Sequence, residues 1–282
     1  MAADKKKGGL LPRVLTALVL LPLALALVWA PGLAGIFAIF VTIIAAIGLH
    51  EYYRLAVRAD PERITGLLAG TLVVISGASG DPIAANAVLY LGILLVAGVH
   101  VLHARASVTR LASSLFGVVY VGWFAAHLLL LHALPGIGAG LVLMLFVAVI
   151  LTDTAAYFVG KNFGRHKLAP VVSPNKTWEG AIGGLLFSTL GLGALYFLRA
   201  RYDWEALPEW SLLRYVFAGA ILCIAAQVGD LMESSLKRDA GVKDSGSIFP
   251  GHGGVLDRCD GFLFAAPVLY YMAVFEFSIG II

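Results

Sequence analysis

The chain has 282 residues, of which 60% are hydrophobic and 13% are charged. Soluble domains contain about 45–50% apolar and about 25% charged residues, so this composition argues against a soluble globular enzyme and against a disordered chain. The formal net charge of +3, from 20 basic and 17 acidic residues, is too small to indicate a nucleic-acid partner.

Long stretches without Asp, Glu, Lys or Arg predict membrane-spanning helices. A spanning helix needs about 20 mostly apolar residues. The two longest stretches, 14–50 and 111–152, therefore hold two spans each, separated at Pro31-Gly32 and around Pro135-Gly136. The sequence predicts about nine spans, near 13–30, 33–52, 64–80, 83–104, 111–132, 138–159, 179–199, 212–232 and 261–282.

The first span follows Lys5-Lys6-Lys7, an arrangement that also begins a secretory signal. Its apolar run, 14–30, is longer than the roughly 7–15 residues of such a signal, and another span follows at once. We therefore expect a retained membrane span.

The basic residues predict the orientation, because they concentrate in cytoplasmic loops. With a cytoplasmic N-terminus and nine spans, 17 of the 20 basic residues lie inside. The three outside are Arg199, Arg201 and Arg214. The C-terminus would then lie outside.

The predicted fold is an all-α integral membrane bundle that forms one domain, 1–282. The spans must be helical, because backbone polar groups in lipid have to be hydrogen-bonded within the segment. The first five spans carry almost no ionisable residues, whereas the C-terminal half concentrates them at its inner face. We expect an N-terminal scaffold, 1–135, and a catalytic part, 136–282, with cytoplasmic loops 160–179 and 233–261.

Two acidic pairs flank the last inner loop. Asp230 and Glu233 end the eighth span, and Asp257 and Asp260 open the ninth. On a helix this three-residue spacing places both members of a pair on one face. Acids at this depth are costly unless they are paired or bind a cation. Four converging carboxylates suit Mg²⁺, which takes one or two of them and leaves positions for water and phosphates.

Basic and glycine-rich segments accompany these acids. Lys237, Arg238, Lys243 and Arg258 would lie beside the carboxylates, and such mixed clusters suit phosphoryl-type chemistry, in which catalysis is mainly positioning and charge neutralisation. The loop 246–254 supplies backbone amides with little side-chain bulk, which is typical of an anion-binding loop. The alternative interpretations are a structural turn for the loop and membrane-interface anchoring for Lys237 and Arg238.

The segment 234–260 reads SxLKRxxxxKDxGxxFPxHGGVxDRxD. This pattern resembles the signature of the phosphatidate cytidylyltransferase family, also called CDP-diacylglycerol synthase. The resemblance extends upstream to Asp153 and to the segment 173–180, SPNKTWEG. It covers about 150–261, and Cys259 departs from the aliphatic residue or Thr that is more usual in the family.

The resemblance implies that CTP and phosphatidate react to give CDP-diacylglycerol and diphosphate, with Mg²⁺ required and a second cation possible. The lipid phosphate would attack the α-phosphorus of CTP. In such enzymes the carboxylates that match Asp230 and Asp257 are the expected metal ligands. Glu233 and Asp260 would complete the metal site, and Lys237 and Arg238 would bind phosphate oxygens.

Other polar residues are candidates for substrate binding or for support of the site. His252 is expected to form hydrogen bonds within its loop rather than to act as a base. Asp153 and Glu179 each have a structural alternative, as a packing carboxylate and as a first-turn helix acid. The substrate-binding candidates are Ser173, Asn175, Lys176, Thr177, Ser234, Lys243, His252, Gly253, Gly254 and Arg258, and the possible additional residues are Asp153, Glu179 and Asp244.

Two alternatives remain open from the sequence: another CTP-dependent membrane enzyme, either a polyprenol kinase or an ether-lipid cytidylyltransferase, and a cation-coupled transporter.

Six ionisable residues match no motif, and we expect packing or interface roles for them: Glu51, Glu276, His100, His103, His127 and His132. The short loops are typical of a bacterial inner-membrane protein with its site on the cytoplasmic side. A homodimer is compatible with the family.

Overall fold

The computed structural model describes residues 22–23, 25–30, 32–57, 60–103, 107–248 and 253–279. Its N-terminal half is built from consecutive helices. These are α1 (Ala34–Ala56), α2 (Asp60–Gly77), α3 (Pro82–His103) and α4 (Val108–Gly117), which continues through a π-helix (Val118–Trp123) into α5 (Phe124–His132).

The C-terminal half contains longer helices and one small sheet. Helix α6 (Gly138–Phe163) leads into strands β1 (Lys167–Ala169) and β2 (Ser173–Thr177), which are followed by α7 (Trp178–Tyr202), α8 (Leu212–Asp239) and α9 (Leu256–Ile279). Helix α7 packs between α6 and α8, and α8 packs against α9. The loop between α8 and α9 carries much of the predicted signature.

Seven helices within the described residues are long and apolar enough to cross a membrane. They are α1, α3, the α4–α5 unit, α6, α7, α8 and α9. Helix α2 coincides with a predicted span but carries Asp60, Glu62 and Arg63 in its first turn. Most of the predicted first span, 13–30, lies outside the described residues. The helical membrane architecture is therefore confirmed, while the count of nine and the cytoplasmic N-terminus stay predictions.

Large apolar side chains point outward from the bundle. Ile39, Leu102 and Leu213 are 61%, 81% and 78% exposed. Extensive apolar exposure of this kind marks a surface that contacts a membrane or another protein, and it is the arrangement that lipid tails require.

The structure corrects the all-α prediction in the loop 160–179. Strands β1 and β2 form an antiparallel hairpin in which Lys167 pairs with Thr177, and Ala169 with Ser173. The Thr177 hydroxyl accepts a hydrogen bond from the backbone N–H of Gly180 at 3.1 Å and so caps the N-terminus of α7. The hairpin is joined directly to a membrane helix, which fixes its position.

Glycines bring the helices of the C-terminal half into close contact. A Cβ atom at Gly219 of α8 would collide with the backbone of Ser188 and Thr189 in α7. One at Gly229 of α8 would collide with the backbone of Asp260 in α9. Small residues at such crossings let backbones approach closely in a membrane.

Aromatic packing joins the two halves. Phe264 of α9 contacts Phe124, with ring centroids 5.1 Å apart, and Tyr120 of the π-helix, with centroids 5.8 Å apart. Tyr120 is fully buried. Helix α9, which opens with Asp257, is thus packed against the N-terminal scaffold.

Candidate active site

The last turns of α8 present a polar stripe. Asp230, Glu233, Ser234 and Lys237 are spaced by three or four residues and share one face of the helix. The Ser234 hydroxyl donates to Asp230 Oδ1 at 3.4 Å. The predicted placement of this first acidic pair on one helix face is confirmed.

Asp257 lies in the first turn of α9, and its two oxygens have different surroundings. Oδ2 accepts hydrogen bonds from the backbone N–H of Gly254 at 2.7 Å, from the N–H of Ser245 at 2.8 Å and from the Ser245 hydroxyl at 2.8 Å. Oδ1 contacts Lys237 Nζ at 2.5 Å. Oδ2 therefore holds the loop, while Oδ1 faces the charged cluster.

Lys237 joins the two helices that carry the acidic pairs. Its ammonium group forms ion pairs with Glu233, one turn earlier on α8, and with Asp257 on α9. The exposed fractions of the three side chains are 12% for Lys237, 1% for Glu233 and 7% for Asp257. Removing one member of a buried ion pair is strongly destabilising, so Lys237 is essential to the present arrangement of both carboxylates.

The β-hairpin supplies a second acid–base contact. Lys176 on β2 lies with Nζ 2.6 Å from Asp230 Oδ2, and the two side chains are 24% and 35% exposed. Arg238 at the end of α8 donates to the backbone carbonyls of Val172 at 3.3 Å and Val242 at 3.1 Å. The hairpin is thus docked onto the cytoplasmic end predicted for α8.

Two further acidic residues interact with these pairs. Asp153 on α6 interacts electrostatically with Asp230, Lys176 and Arg258. Asp260 on α9 interacts with Asp153, Asp230 and Glu233. The structure therefore brings the two predicted acidic pairs together with Asp153, a residue from a third helix.

Other predicted residues have structural roles or exposed positions. Glu179 accepts hydrogen bonds from the backbone N–H of Arg165 at 3.1 Å and from His166 Nδ1 at 2.6 Å, and so fixes the turn before β1. Lys243, Asp244 and Asn175 are exposed. Ser173 is half-buried on β2.

The glycine-rich loop is described only in part, because residues 249–252, including the candidate His252, lie outside the described residues. Gly253 has a φ of 84°, which lies in a region that side chains disfavour. A Cβ atom there would also collide with Asp257 Oδ2. Gly253 and Gly254 therefore bring the backbone close to Asp257, and anion binding by this loop stays a prediction.

Glu51 is a residue near the site that sequence reasoning assigned to packing. It lies on α1 and is 3% exposed. Its carboxylate accepts hydrogen bonds from the backbone N–H groups of Val255 and Leu256, and its Oε2 lies 3.1 Å from the Ser245 hydroxyl. A lone acid at the end of a span gives no motif. The position of Glu51 in the sequence could still have indicated a buried partner, because an ionisable residue at the end of a membrane span needs one.

Comparison with known proteins places the chain in a family. A model of the cytidylyltransferase family matches residues 11–275. The chain belongs to the cytidylyltransferase family. The family resemblance predicted from the signature is confirmed, and the match extends over the N-terminal helices, which the motif alone did not cover.

Individual relatives of this cytidylyltransferase match along nearly their whole length. A protein named phosphatidate cytidylyltransferase from Staphylococcus aureus (strain COL) is 36% identical over 269 residues, covering 93% of this chain and 98% of the relative. Proteins of the same name from Brucella melitensis biotype 1 and Staphylococcus haemolyticus are 37% and 35% identical, over 93% of this chain and 93% and 98% of their own lengths.

The carboxylates of this cytidylyltransferase are of the chemical type that Mg²⁺ prefers. Among the described residues no three His, Cys, Asp or Glu side chains are arranged to hold a metal ion by themselves. Mg²⁺ is usually bound by one or two carboxylates together with water and substrate phosphates. Asp230 and Asp257 each already accommodate a cationic group, Lys176 and Lys237, so both positions are electrostatically suited to a cation.

Proposed function

We propose that this protein transfers the CMP group of CTP to phosphatidate, giving CDP-diacylglycerol and diphosphate. The observation that carries the proposal is the pairing of Lys237 with Asp257 and Glu233, beside the pairing of Lys176 with Asp230. An oxygen-rich cluster interleaved with ammonium groups matches the charge pattern of a nucleoside triphosphate bound with a divalent cation. The names of the relatives indicate phosphatidate as the lipid acceptor.

In the proposed reaction a phosphate oxygen of phosphatidate attacks the α-phosphorus of CTP. The bond between the α-phosphorus and the bridging oxygen breaks, and diphosphate leaves with that oxygen. A phosphate monoester is anionic near neutral pH, so the attacking oxygen does not require a protein base. The protein's task is to bring two anions together and to neutralise the charge that builds up on the leaving group.

Individual residues have distinct tasks in this proposal. Lys237 and Lys176 exchange their carboxylate contacts for phosphate oxygens, and Arg238 supports the same phosphates from the end of α8. Asp230 and Asp257 would hold Mg²⁺, with Glu233 and Asp260 beside them. The bound ion would supply charge neutralisation at the phosphates.

The placement of the site suits one soluble and one membrane-bound substrate. Its acids lie at the ends of α8 and α9, where the chain leaves the membrane-spanning segments, and the hairpin and the 240–255 loop lie beside them. We propose that this face is cytoplasmic and that the protein resides in a bacterial inner membrane. CTP would then arrive from the cytoplasm and phosphatidate would arrive laterally between helices.

The test uses purified protein in phosphatidate-containing vesicles with Mg²⁺ and CTP labelled in separate reactions at the α- or the γ-phosphorus. We expect the α-label in the lipid product and the γ-label in diphosphate. Transfer of the γ-label to the lipid would overturn the proposal in favour of a kinase. Absence of any labelled lipid product from folded protein would overturn it as well.

A further inference from the structure

Glu51 reaches the active site from the N-terminal scaffold. It lies near the end of α1 and is 3% exposed. Its Oε1 accepts a hydrogen bond from the backbone N–H of Val255 at 3.1 Å, and its Oε2 accepts one from the N–H of Leu256 at 2.9 Å. These amides open helix α9, so a carboxylate from α1 caps the helix that carries Asp257.

A serine hydroxyl connects Glu51 to Asp257. Ser245 Oγ lies 3.1 Å from Glu51 Oε2 and 2.8 Å from Asp257 Oδ2. The backbone N–H of Ser245 also donates to Asp257 Oδ2 at 2.8 Å. One buried hydroxyl is therefore held between two carboxylates that belong to different halves of the chain.

The loop that contains Gly246 and Gly254 packs closely against the Glu51 carboxylate. A Cβ atom at Gly246 would collide with Glu51 Oε1, and one at Gly254 would collide with Glu51 Oε2 and Ser245 Oγ. Two glycines of the signature therefore allow the backbone to close around the carboxylate. The N–H of Gly254, which donates to Asp257 Oδ2 at 2.7 Å, is fixed by the same packing.

We propose that Glu51 is a positioning residue for Asp257, acting through Ser245 and the first turn of α9. Glu51 contacts the Ser245 hydroxyl and the two amides that follow Gly254. It thereby holds the segments whose groups bind Asp257 Oδ2, and this leaves Oδ1 directed at Lys237 and the charged cluster. The inference rests on the proposed function for the reaction that it serves. The contacts themselves do not depend on the identity of the lipid acceptor.

The primary variant is Glu51→Gln, which keeps the side-chain size. Its NH₂ group would meet a donor in either orientation, the N–H of Val255 in one and the N–H of Leu256 with the Ser245 hydroxyl in the other, so the helix cap is disturbed in both. The matched control is Glu62→Gln. Glu62 is another buried acid of the N-terminal half, 2% exposed, and its partners are His100 and Arg110.

The decisive measurement is Mn²⁺ binding to the purified full-length protein, followed by electron paramagnetic resonance with CTP and without phosphatidate. The nucleotide phosphates are then present and no transfer can occur, and the signal of Mn²⁺ with CTP alone is subtracted. A residue that merely supports folding changes the number of binding sites, whereas a positioning residue changes their affinity. For Glu51→Gln we expect an affinity loss of about 10–100-fold, as for residues that orient metal ligands, at unchanged stoichiometry. For Glu62→Gln we expect wild-type affinity.

A second variant keeps the test decisive if Glu51→Gln does not fold. Ser245→Ala removes only the hydroxyl between the two carboxylates, and we expect it to weaken Mn²⁺ binding in the same direction. In the double variant the two losses should be less than additive, because both break one connection. Wild-type affinity in Ser245→Ala and in folded Glu51→Gln would overturn the proposal, and so would a wild-type protein that binds no Mn²⁺.

Kinetics separate this inference from the proposed function. With active protein, Glu51→Gln should lower kcat about 10–100-fold and leave the KM for phosphatidate unchanged. If wild-type protein binds Mn²⁺ but forms no CDP-diacylglycerol, the proposed function fails while the Mn²⁺ titration still decides the role of Glu51. If the KM for phosphatidate rises and Mn²⁺ affinity stays at the wild-type value, the positioning role is wrong.

Discussion

Lys237 and Asp257 lie 2.5 Å apart, Nζ to Oδ1, across the junction of the two helices that carry the acidic pairs. This contact divides the functions of Asp257 between its oxygens. Oδ2 is saturated by the loop, so only Oδ1 is directed at the charged cluster. The part that Asp257 can play in the site therefore depends on one carboxylate oxygen, which Lys237 also contacts.

Asp257→Asn should abolish most of the transferase activity. An amide cannot supply the negative charge at the Oδ1 position, and its NH₂ group would face either Lys237 or the loop amides. We expect a loss of about 100-fold or more in kcat, measured as labelled CDP-diacylglycerol formed in vesicles. Asp239→Asn, at the exposed end of α8, is the control and should retain activity. Wild-type activity in Asp257→Asn would exclude the assigned role.

Lys237→Ala should destabilise the protein as well as inactivate it. It leaves Glu233 and Asp257 buried beside each other without their shared cation, at a cost of about 3–5 kcal/mol. Thermal unfolding in detergent would measure this as a lower Tm. Adding Glu233→Gln removes one of the two negative charges that repel each other. The double variant should therefore recover much of the Tm without recovering activity. Recovery of both would show that Lys237 has no role beyond stability.

Lys176→Ala should affect function more than stability. The pair with Asp230 is more exposed than the pair of Lys237 with Asp257, so the fall in Tm should be smaller than that of Lys237→Ala. Loss of a phosphate-binding cation should raise the KM for CTP. Lys167→Ala, which removes an exposed lysine from the other strand of the hairpin, serves as the matched control. Equal KM values in the two variants would contradict a nucleotide contact at Lys176.

Glu179→Gln should loosen the hairpin without disturbing the helix bundle. Its carboxylate fixes the turn at Arg165 and His166, which sets the position of the strand that carries Lys176. We expect faster amide hydrogen exchange at 165–167 and a higher KM for CTP. Glu205→Gln, an exposed acid in the loop between α7 and α8, should change neither quantity. An unchanged exchange rate would show that the turn holds without this carboxylate.

Removal of divalent cations should stop the reaction reversibly. Two phosphate-bearing substrates meet at a site that already contains several carboxylates, and their charges need a cation for neutralisation. Activity should vanish in excess chelator and return with added Mg²⁺, at unchanged helix content by circular dichroism. Full activity in chelator would refute the assignment of Asp230 and Asp257 as ligands.

Hydropathy and spacing were sufficient to predict much of this molecule. Charge-free stretches located most of the long helices, because burial in lipid imposes a simple length and composition rule. The ends were less accurate: α8 continues to Asp239, beyond the predicted end at 232. The three-residue spacing of Asp230 and Glu233 predicted a shared face for the same kind of reason. These are local properties, readable without knowledge of the tertiary structure.

The missed features depend on contacts between distant segments. Glu51 and Ser245 are 194 positions apart, and the spacing of apolar and polar residues along the chain does not predict contacts between segments so far apart. The hairpin around Lys176 has strands too short to show alternation. Helix α9 begins at Leu256, earlier than the predicted span at 261, because Asp257 binds the loop amides at the start of its own helix.

The close approach of Gly229 to the backbone of Asp260 has a consequence for ion selectivity. The backbones of α8 and α9 are in direct contact at this point, so their separation cannot be changed by a change of side-chain rotamer. A cation held between these helices, as proposed, would be selected by its radius as well as its charge. An alanine at position 229 would push the helices apart, and the first effect should be an altered preference among Mg²⁺, Mn²⁺ and Ca²⁺ rather than a loss of binding.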